Sequence, residues 1–113
     1  MNEIIEIGTA KANPGTIAEG KMIVETLAGG GDIAIPVTIM NGINDGPCFW
    51  INGGIHGDEP EGILTCSLLK KSIDPKNLSG SVILVPVINV PAMEAAERGN
   101  PLDTFSSDMN RIY

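Results

Sequence analysis

Apolar and polar residues alternate in short runs through the first half of the chain and gather into longer apolar runs in the second. Residues 4–7 set isoleucine against glutamate, which predicts a short strand. After a Pro14-Gly15 turn, residues 21–27 are rich in Ile, Val and Thr, and residues 33–40 form a second β-branched run. The Gly29-Gly30-Gly31-Asp32 segment between them predicts a hairpin. A phosphate-binding loop is a poor reading of those glycines, because no helix follows and no Lys-Ser/Thr pair closes the segment. Asn41-Gly42 and Asp45-Gly46-Pro47 mark turns. Residues 48–52 are apolar up to Asn52, the pattern of a strand buried on both faces of an α/β sheet.

A helix is predicted next. Asp58 and Glu61 have capping-box spacing, Pro60 suits a first turn, and Ile63, Leu64, Leu68, Leu69 and Ile73 supply an apolar stripe. Asp74-Pro75 ends it. Residues 82–90 read as a strand apolar on both faces, with Pro86 an awkward interruption. Pro91 opens a short helix through Glu97, Gly99 caps it, and residues 100–108 form a polar loop. A hairpin followed by strand, helix, strand and helix predicts an α/β domain whose mixed, mostly parallel sheet is flanked by helices.

Composition narrows the functional classes. A chain of 113 residues, 42% apolar, can bury one core and predicts one domain. Its net charge of −7 argues against nucleic acid or an anionic membrane as partner. No run approaches membrane-spanning length, and Met1-Asn2-Glu3-Ile4-Ile5-Glu6 lacks the features of a signal peptide, so a cytoplasmic location is expected. Cys48 and Cys66 lie in apolar segments without a CxxC, which predicts buried free thiols in a reducing compartment. Lys11, Lys21, Lys70, Lys71 and Lys76 precede both arginines, Arg98 and Arg111, which fall in an Asn-rich tail. A guanidinium is a planar fork suited to carboxylates, so the pair reads either as anion recognition or as ordinary charged surface.

The candidate chemistry gathers in Gly53-Gly54-Ile55-His56-Gly57-Asp58-Glu59-Pro60-Glu61-Gly62, which holds the only histidine. His56 and Glu59, three apart, can face one way at a helix entry, as two ligands of a catalytic zinc site do. A third ligand cannot be another histidine of this chain. Gly53, Gly54 and Gly57 let backbone pass close to a ligand, and the carboxyl end of a strand is where open α/β sheets bind small molecules. The plainer alternative makes His56 a polar loop residue and Glu59 a favourable charge at a helix N-terminus.

Three further tracts follow His56-Gly57-Asp58-Glu59 in order: Asn89-Val90-Pro91-Ala92, Arg98-Gly99-Asn100-Pro101-Leu102-Asp103 and Asp108-Met109-Asn110-Arg111. In that ordered set the chain resembles the succinylglutamate desuccinylase/aspartoacylase family of zinc amidohydrolases, which have the zinc carboxypeptidase fold. The likeness runs from Pro14-Gly15 through Ile35-Pro36-Val37 to Asn110-Arg111. It implies that His56 and Glu59 are the first two zinc ligands, and that Arg98 polarises the scissile carbonyl and steadies the oxyanion. It implies that Asn110 and Arg111 grip the substrate carboxylate. The implied reaction is zinc-assisted hydrolysis of the amide bond of an N-acyl amino acid or similar small carboxylate-bearing molecule.

Departures from the family pattern are few. Met109 stands for a usual leucine, Asn89-Val90-Pro91 for a common Asn-Pro-Pro, and Tyr113 for a phenylalanine. The family's third ligand, a histidine, and its glutamate general base belong downstream. Residues 1–113 are therefore expected to be the N-terminal part of a single, truncated zinc carboxypeptidase-like domain, inactive alone. The alternatives are a non-catalytic binding module that keeps the fold and a metallocarboxypeptidase acting on peptides. The resemblance also makes the strand at residues 48–52 internal in a complete sheet. A bare side on it predicts self-association of this chain as a homodimer or higher oligomer.

Overall fold

The computed structural model describes residues 1–103 and 108–111. Strands β1 (Ile5–Ile7) and β2 (Ala10–Ala12) form a small antiparallel pair. Strands β3 (Thr16–Thr26), β4 (Asp32–Asn41), β5 (Asn44–Asn52) and β6 (Ser79–Val85) form the main sheet in the order β3-β4-β6-β5. Helix α1 (Glu61–Ser72) connects β5 to β6, and helix α2 (Val90–Ala95) follows β6.

The expected hairpin is present. Thr26 pairs with Asp32, the Leu27 N–H donates to the Gly31 carbonyl at 2.7 Å, and Gly30 takes the left-handed conformation at φ 91°. The sheet is mixed as expected, but over the described residues it is not mostly parallel. β3–β4 and β4–β6 are antiparallel, and β5–β6 is the parallel pair. Connectivity is the reason: a hairpin makes β3 and β4 antiparallel, and the β5–α1–β6 crossover returns β6 parallel to β5 but between it and β4, where β6 runs antiparallel to β4.

Register divides the core in two. Ile39 and Ile83 are partners on one face, where Val37, Val85 and the β1–β2 alanines Ala10 and Ala12 complete a buried cluster. Met40 and Val82 are partners on the other, packed with Leu84 and with Cys66 of α1. So a two-stranded flap covers the first face, where a helix was expected. Asn41, fully buried, ties that flap down by donating from Nδ2 to the carbonyls of Glu3 and Ala12 at 2.8 and 2.9 Å. Burying each large aliphatic side chain here contributes about 1.5–3 kcal/mol.

Several local expectations are corrected. Pro60 is the N-cap of α1 and no side chain caps it, so Asp58 does not form a capping box. The helix turns Cys66 inward, with Leu69 and Ile73 packed beside it, while Leu64 and Leu68 are exposed. β6 ends at Val85, which leaves Pro86 outside the ladder. α2 closes through Ala96 in the left-handed conformation, φ 53°, rather than through Gly99.

β5 is not buried on both faces. Among the described residues it has a neighbour on one side only, so Phe49 is 64% and Trp50 46% exposed. Cys48 is exposed for the same reason, contrary to expectation, while Cys66 is buried and its thiol pKa is pushed up by desolvation. Both cysteines are free. Among the described residues no helix is long and apolar enough to cross a membrane.

Candidate functional site

The site forms at the carboxyl ends of β5 and β6, where the chain leaves the sheet. The Gly53 N–H donates to the Val85 carbonyl at 2.9 Å, which extends the parallel pairing by one residue. Glycine is required here because backbone crowds the next stretch. A Cβ on Gly53 would lie 2.9 Å from the Gly62 Cα, and Gly54, at φ 65°, would put one 2.8 Å from the Val87 Cα. At Gly57 a Cβ would overlap the Ala92 carbonyl and the Glu97 oxygen. The predicted close approach is therefore backbone against backbone.

His56 and Glu59 sit in the turn before α1, closed by a bond from the Glu59 N–H to the His56 carbonyl at 3.3 Å. The His56 side chain is 11% exposed. Its Nδ1 meets Glu59 Oε2, and its Nε2 lies 2.7 Å from Asp108 Oδ1. Arg98 completes the cluster, with one terminal guanidinium nitrogen 3.6 Å from Glu59 Oε2 and Nε 3.6 Å from Asp108 Oδ2. Glu97, Arg98, Gly99 and Asp108 line an open cleft of about 400 Å³.

Charge explains the arrangement. The hydrogen bond to Asp108 is the main cause raising the His56 pKa above its ordinary 6.5; the bond to Glu59 adds to it, and desolvation and Arg98 oppose it. Asp108 is held below its ordinary 3.8, chiefly by His56 and then by the Asn110 N–H, which donates to its Oδ1 at 2.9 Å. Asp108 is thus an ionised acceptor, and Nε2 must be the donor. Nδ1 then faces a second carboxylate, and two lone pairs cannot share that space unless a cation lies between them. A second proton meets the requirement at this hydrogen-bond contact; a metal ion would meet it only with the two atoms drawn further apart.

The first alternative has a pH signature. A raised histidine pKa contributes stability that is complete below the unfolded value of 6.5 and is lost as pH rises through the folded value. The depressed Asp108 contributes above its unfolded value of 3.8 and loses that contribution as pH falls through its folded value. Asp108→Asn is therefore expected to lower the His56 pKa in a ring-resonance titration and to cost stability chiefly between pH 3.8 and 6.5, the difference from the parent shrinking toward both pH extremes. An unchanged His56 titration would contradict the assignment.

The structure brings together three of the sequence-derived candidates, His56, Glu59 and Arg98. Asn110 and Arg111 lie in a short 3₁₀ turn, Met109–Arg111, that is exposed at both residues. They are joined to the site through backbone, with the Arg111 N–H donating to the Asp108 carbonyl at 2.9 Å. Tyr113 lies outside the described residues. Asp108 itself was missed. A histidine that binds metal through one nitrogen usually donates from the other to a carboxylate, and the acid opening the Asp-Met-Asn-Arg tract answers that need. Among the described residues no group of three or more His, Cys, Asp or Glu side chains is placed to hold a metal.

Comparison with known proteins fixes the class. Residues 45–113 match the family model of the succinylglutamate desuccinylase/aspartoacylase catalytic domain, and the chain belongs to that family. It is 37% identical over 83 residues to the N-alpha-acetyl-L-2,4-diaminobutyric acid deacetylase of Halomonas elongata, an overlap of 74% of this chain and 23% of that protein. Its fold is similar to the product-bound ectoine utilization protein EutE of Ruegeria pomeroyi, with TM-score 0.69, 28% identity, and coverage of 85% of this chain and 29% of that one. An aspartoacylase family protein of Mesorhizobium loti gives TM-score 0.73 and 28% identity, covering 96% of this chain and 34% of that one. The chain thus spans between about a quarter and a third of the length of these relatives.

Proposed function

We propose that this chain forms the metal-holding, oxyanion-facing part of a zinc-dependent amide hydrolase that removes the acyl group from an N-acyl amino acid or a similar small carboxylate-bearing substrate. The observation that carries the reading is the direction of the His56 ring, with Nε2 anchored on Asp108 and Nδ1 turned to Glu59. The donor set fits zinc: one imidazole nitrogen and one carboxylate oxygen are two of the three ligands of a common catalytic site. A zinc ion held there would supply an acidified water and a polarising charge at neutral pH.

The residues of this chain have separate tasks. His56 and Glu59 would hold the metal, and Asp108 keeps the His56 proton on Nε2, which leaves the Nδ1 electron pair available to it. Arg98, with its guanidinium at the cleft, stabilises the negative charge that develops on the carbonyl oxygen. Asn110 and Arg111 take the substrate carboxylate, for which a guanidinium fork is suited. In this reading the chain supplies two of the three protein ligands, and residues 1–113 by themselves are expected to be inactive. A peptide-cleaving carboxypeptidase is the competing reading, and the deacetylase among the relatives weighs against it. The exposed free thiol of Cys48 suits the reducing cytoplasm.

Kinetics on a polypeptide carrying this chain and the region its relatives have beyond it would separate these tasks. Arg98→Ala should leave metal content intact and lower kcat about 100-fold or more, the usual cost of one oxyanion donor. Arg111→Lys should mainly raise KM, because an ammonium cannot reproduce a two-pronged carboxylate contact. Cleavage of peptides alone, or full activity without metal, would overturn the reading.

The same proposal extends to self-association. The Phe49-Trp50-Ile51 edge carries neither charge nor proline to discourage pairing with another strand. A two-fold dimer joined along β5 is expected in sedimentation of the chain as given, and Trp50→Lys should remove it, giving monomer or aggregate. A stable monomer at high concentration would contradict the expectation.

A further inference from the structure

Asn89 occupies the N-cap of α2, where an asparagine ordinarily accepts a hydrogen bond from the first helical turn. Here its side chain makes no capping bond. It is 3% exposed, and its Nδ2 donates instead to the carbonyl of Ile55 at 3.1 Å. Ile55 immediately precedes His56.

Two neighbouring bonds run the same way. The Ile88 N–H donates to the Gly53 carbonyl at 2.9 Å, and the Asn89 N–H donates to the Gly54 carbonyl at 3.0 Å. Three successive carbonyls, those of Gly53, Gly54 and Ile55, are thus held by two residues at the start of α2. The first two bonds are backbone and survive substitution; the third depends on the Asn89 side chain. On the far side of His56, Gly57 rests against the Ala92 carbonyl of the same helix. Both neighbours of His56 are therefore fixed to α2.

The geometry points to Asn89 as a positioning residue: by holding the Ile55 carbonyl it sets the backbone from which the His56 imidazole reaches Glu59 and Asp108 together. The inference rests on reading His56 as a site residue, but it requires neither metal nor substrate. Its physical basis is that a side chain pivots on its own backbone. A small rotation of the peptide before His56 would carry the ring away from one carboxylate or the other.

The single histidine makes the test direct. In the metal-free chain with labelled imidazole nitrogens, the unaltered protein should show one set of ring resonances and a protected Nε2–H. Asn89→Asp has nearly the same shape but removes the donor and sets a carboxylate against the Ile55 carbonyl. It should lose the protected Nε2–H signal while the backbone amides of β4 and β6 keep their positions. A retained signal would overturn the inference, and so would equal disturbance of the β4 and β6 amides, which would make Asn89 an ordinary buried strut. If the variant does not fold, the Asn89 side-chain amide protons of the unaltered protein decide. Slow exchange with solvent supports the bond to Ile55, and exchange as fast as that of the exposed Asn110 amide overturns it. The Asn89→Asp comparison reads only what holds the ring in place, while zinc binding and hydrolysis are measured separately, so this inference can fail while the proposed function stands.

Discussion

His56→Ala is expected to abolish measurable zinc binding in a calorimetric titration of this chain. The unaltered chain should bind zinc weakly, because His56 and Glu59 are two protein donors where catalytic sites normally have three. Removing an outer hydrogen-bond partner of a ligand typically costs about 10–100-fold in metal affinity, which is the expectation for Asp108→Ala. Loss of the ligand itself should exceed that. Glu25→Ala, an exposed carboxylate on the β3–β4 hairpin, is the control and should leave affinity unchanged. If Glu25→Ala lowers affinity as much as His56→Ala does, zinc is held by general surface charge and the site is not the one described.

The second large effect is expected at Gly57. An added Cβ there meets the Ala92 carbonyl and the Glu97 oxygen, all backbone atoms that no rotamer change can move aside. Overfilling a packed position typically costs about 1–3 kcal/mol, and relief here requires shifting α2 against the turn that carries His56. Gly57→Ala should therefore destabilise the fold by about 3 kcal/mol in urea denaturation and weaken zinc binding together. Gly29→Ala is the contrast, since a Cβ on Gly29 meets nothing within 4 Å. A Gly57→Ala protein as stable as the parent would show that the approach of α2 to the turn is looser than described.

Much of this was readable from the chain because local signals and tertiary context agree. The triple glycine between two β-branched runs gives the β3–β4 hairpin, and an apolar strand followed by a helical pattern gives the β5–α1–β6 crossover. His56 and Glu59 could be paired because their separation is three residues. Other features turned on partners the sequence does not display. β2, Ala10–Ala12, is too short for alternation to register, and it exists because the Ala10 and Ala12 side chains fit under Val37 and Ile39. Asp45-Gly46-Pro47 carries turn signals, yet it runs within β5, where the pairing with β6 slips between Asn44 and Cys48. The slip absorbs the irregular residues.

The face of α1 was ambiguous for a different reason. Leu64 and Leu68 compete with Cys66, Leu69 and Ile73 for the inward direction, and helical spacing alone does not rank them. The sheet resolves it: Met40, Val82 and Leu84 take Cys66, with Leu69 and Ile73 packed beside it, and leave Leu64 62% and Leu68 65% exposed. Asp108 was the costliest omission, since its bond to His56 spans 52 residues. No periodicity reports a contact of that range. The rule that a ligating histidine needs a second partner does.

In the proposed site Nδ1 of His56 is the metal-facing nitrogen and Nε2 the anchored one. Adding zinc to the chain while recording the nitrogen resonances of its single histidine tests this most directly. The Nδ1 resonance is expected to move on zinc addition while the Nε2–H bonded to Asp108 persists. Zinc that binds and leaves both ring nitrogens unchanged, or that displaces the Nε2 proton instead, would contradict it.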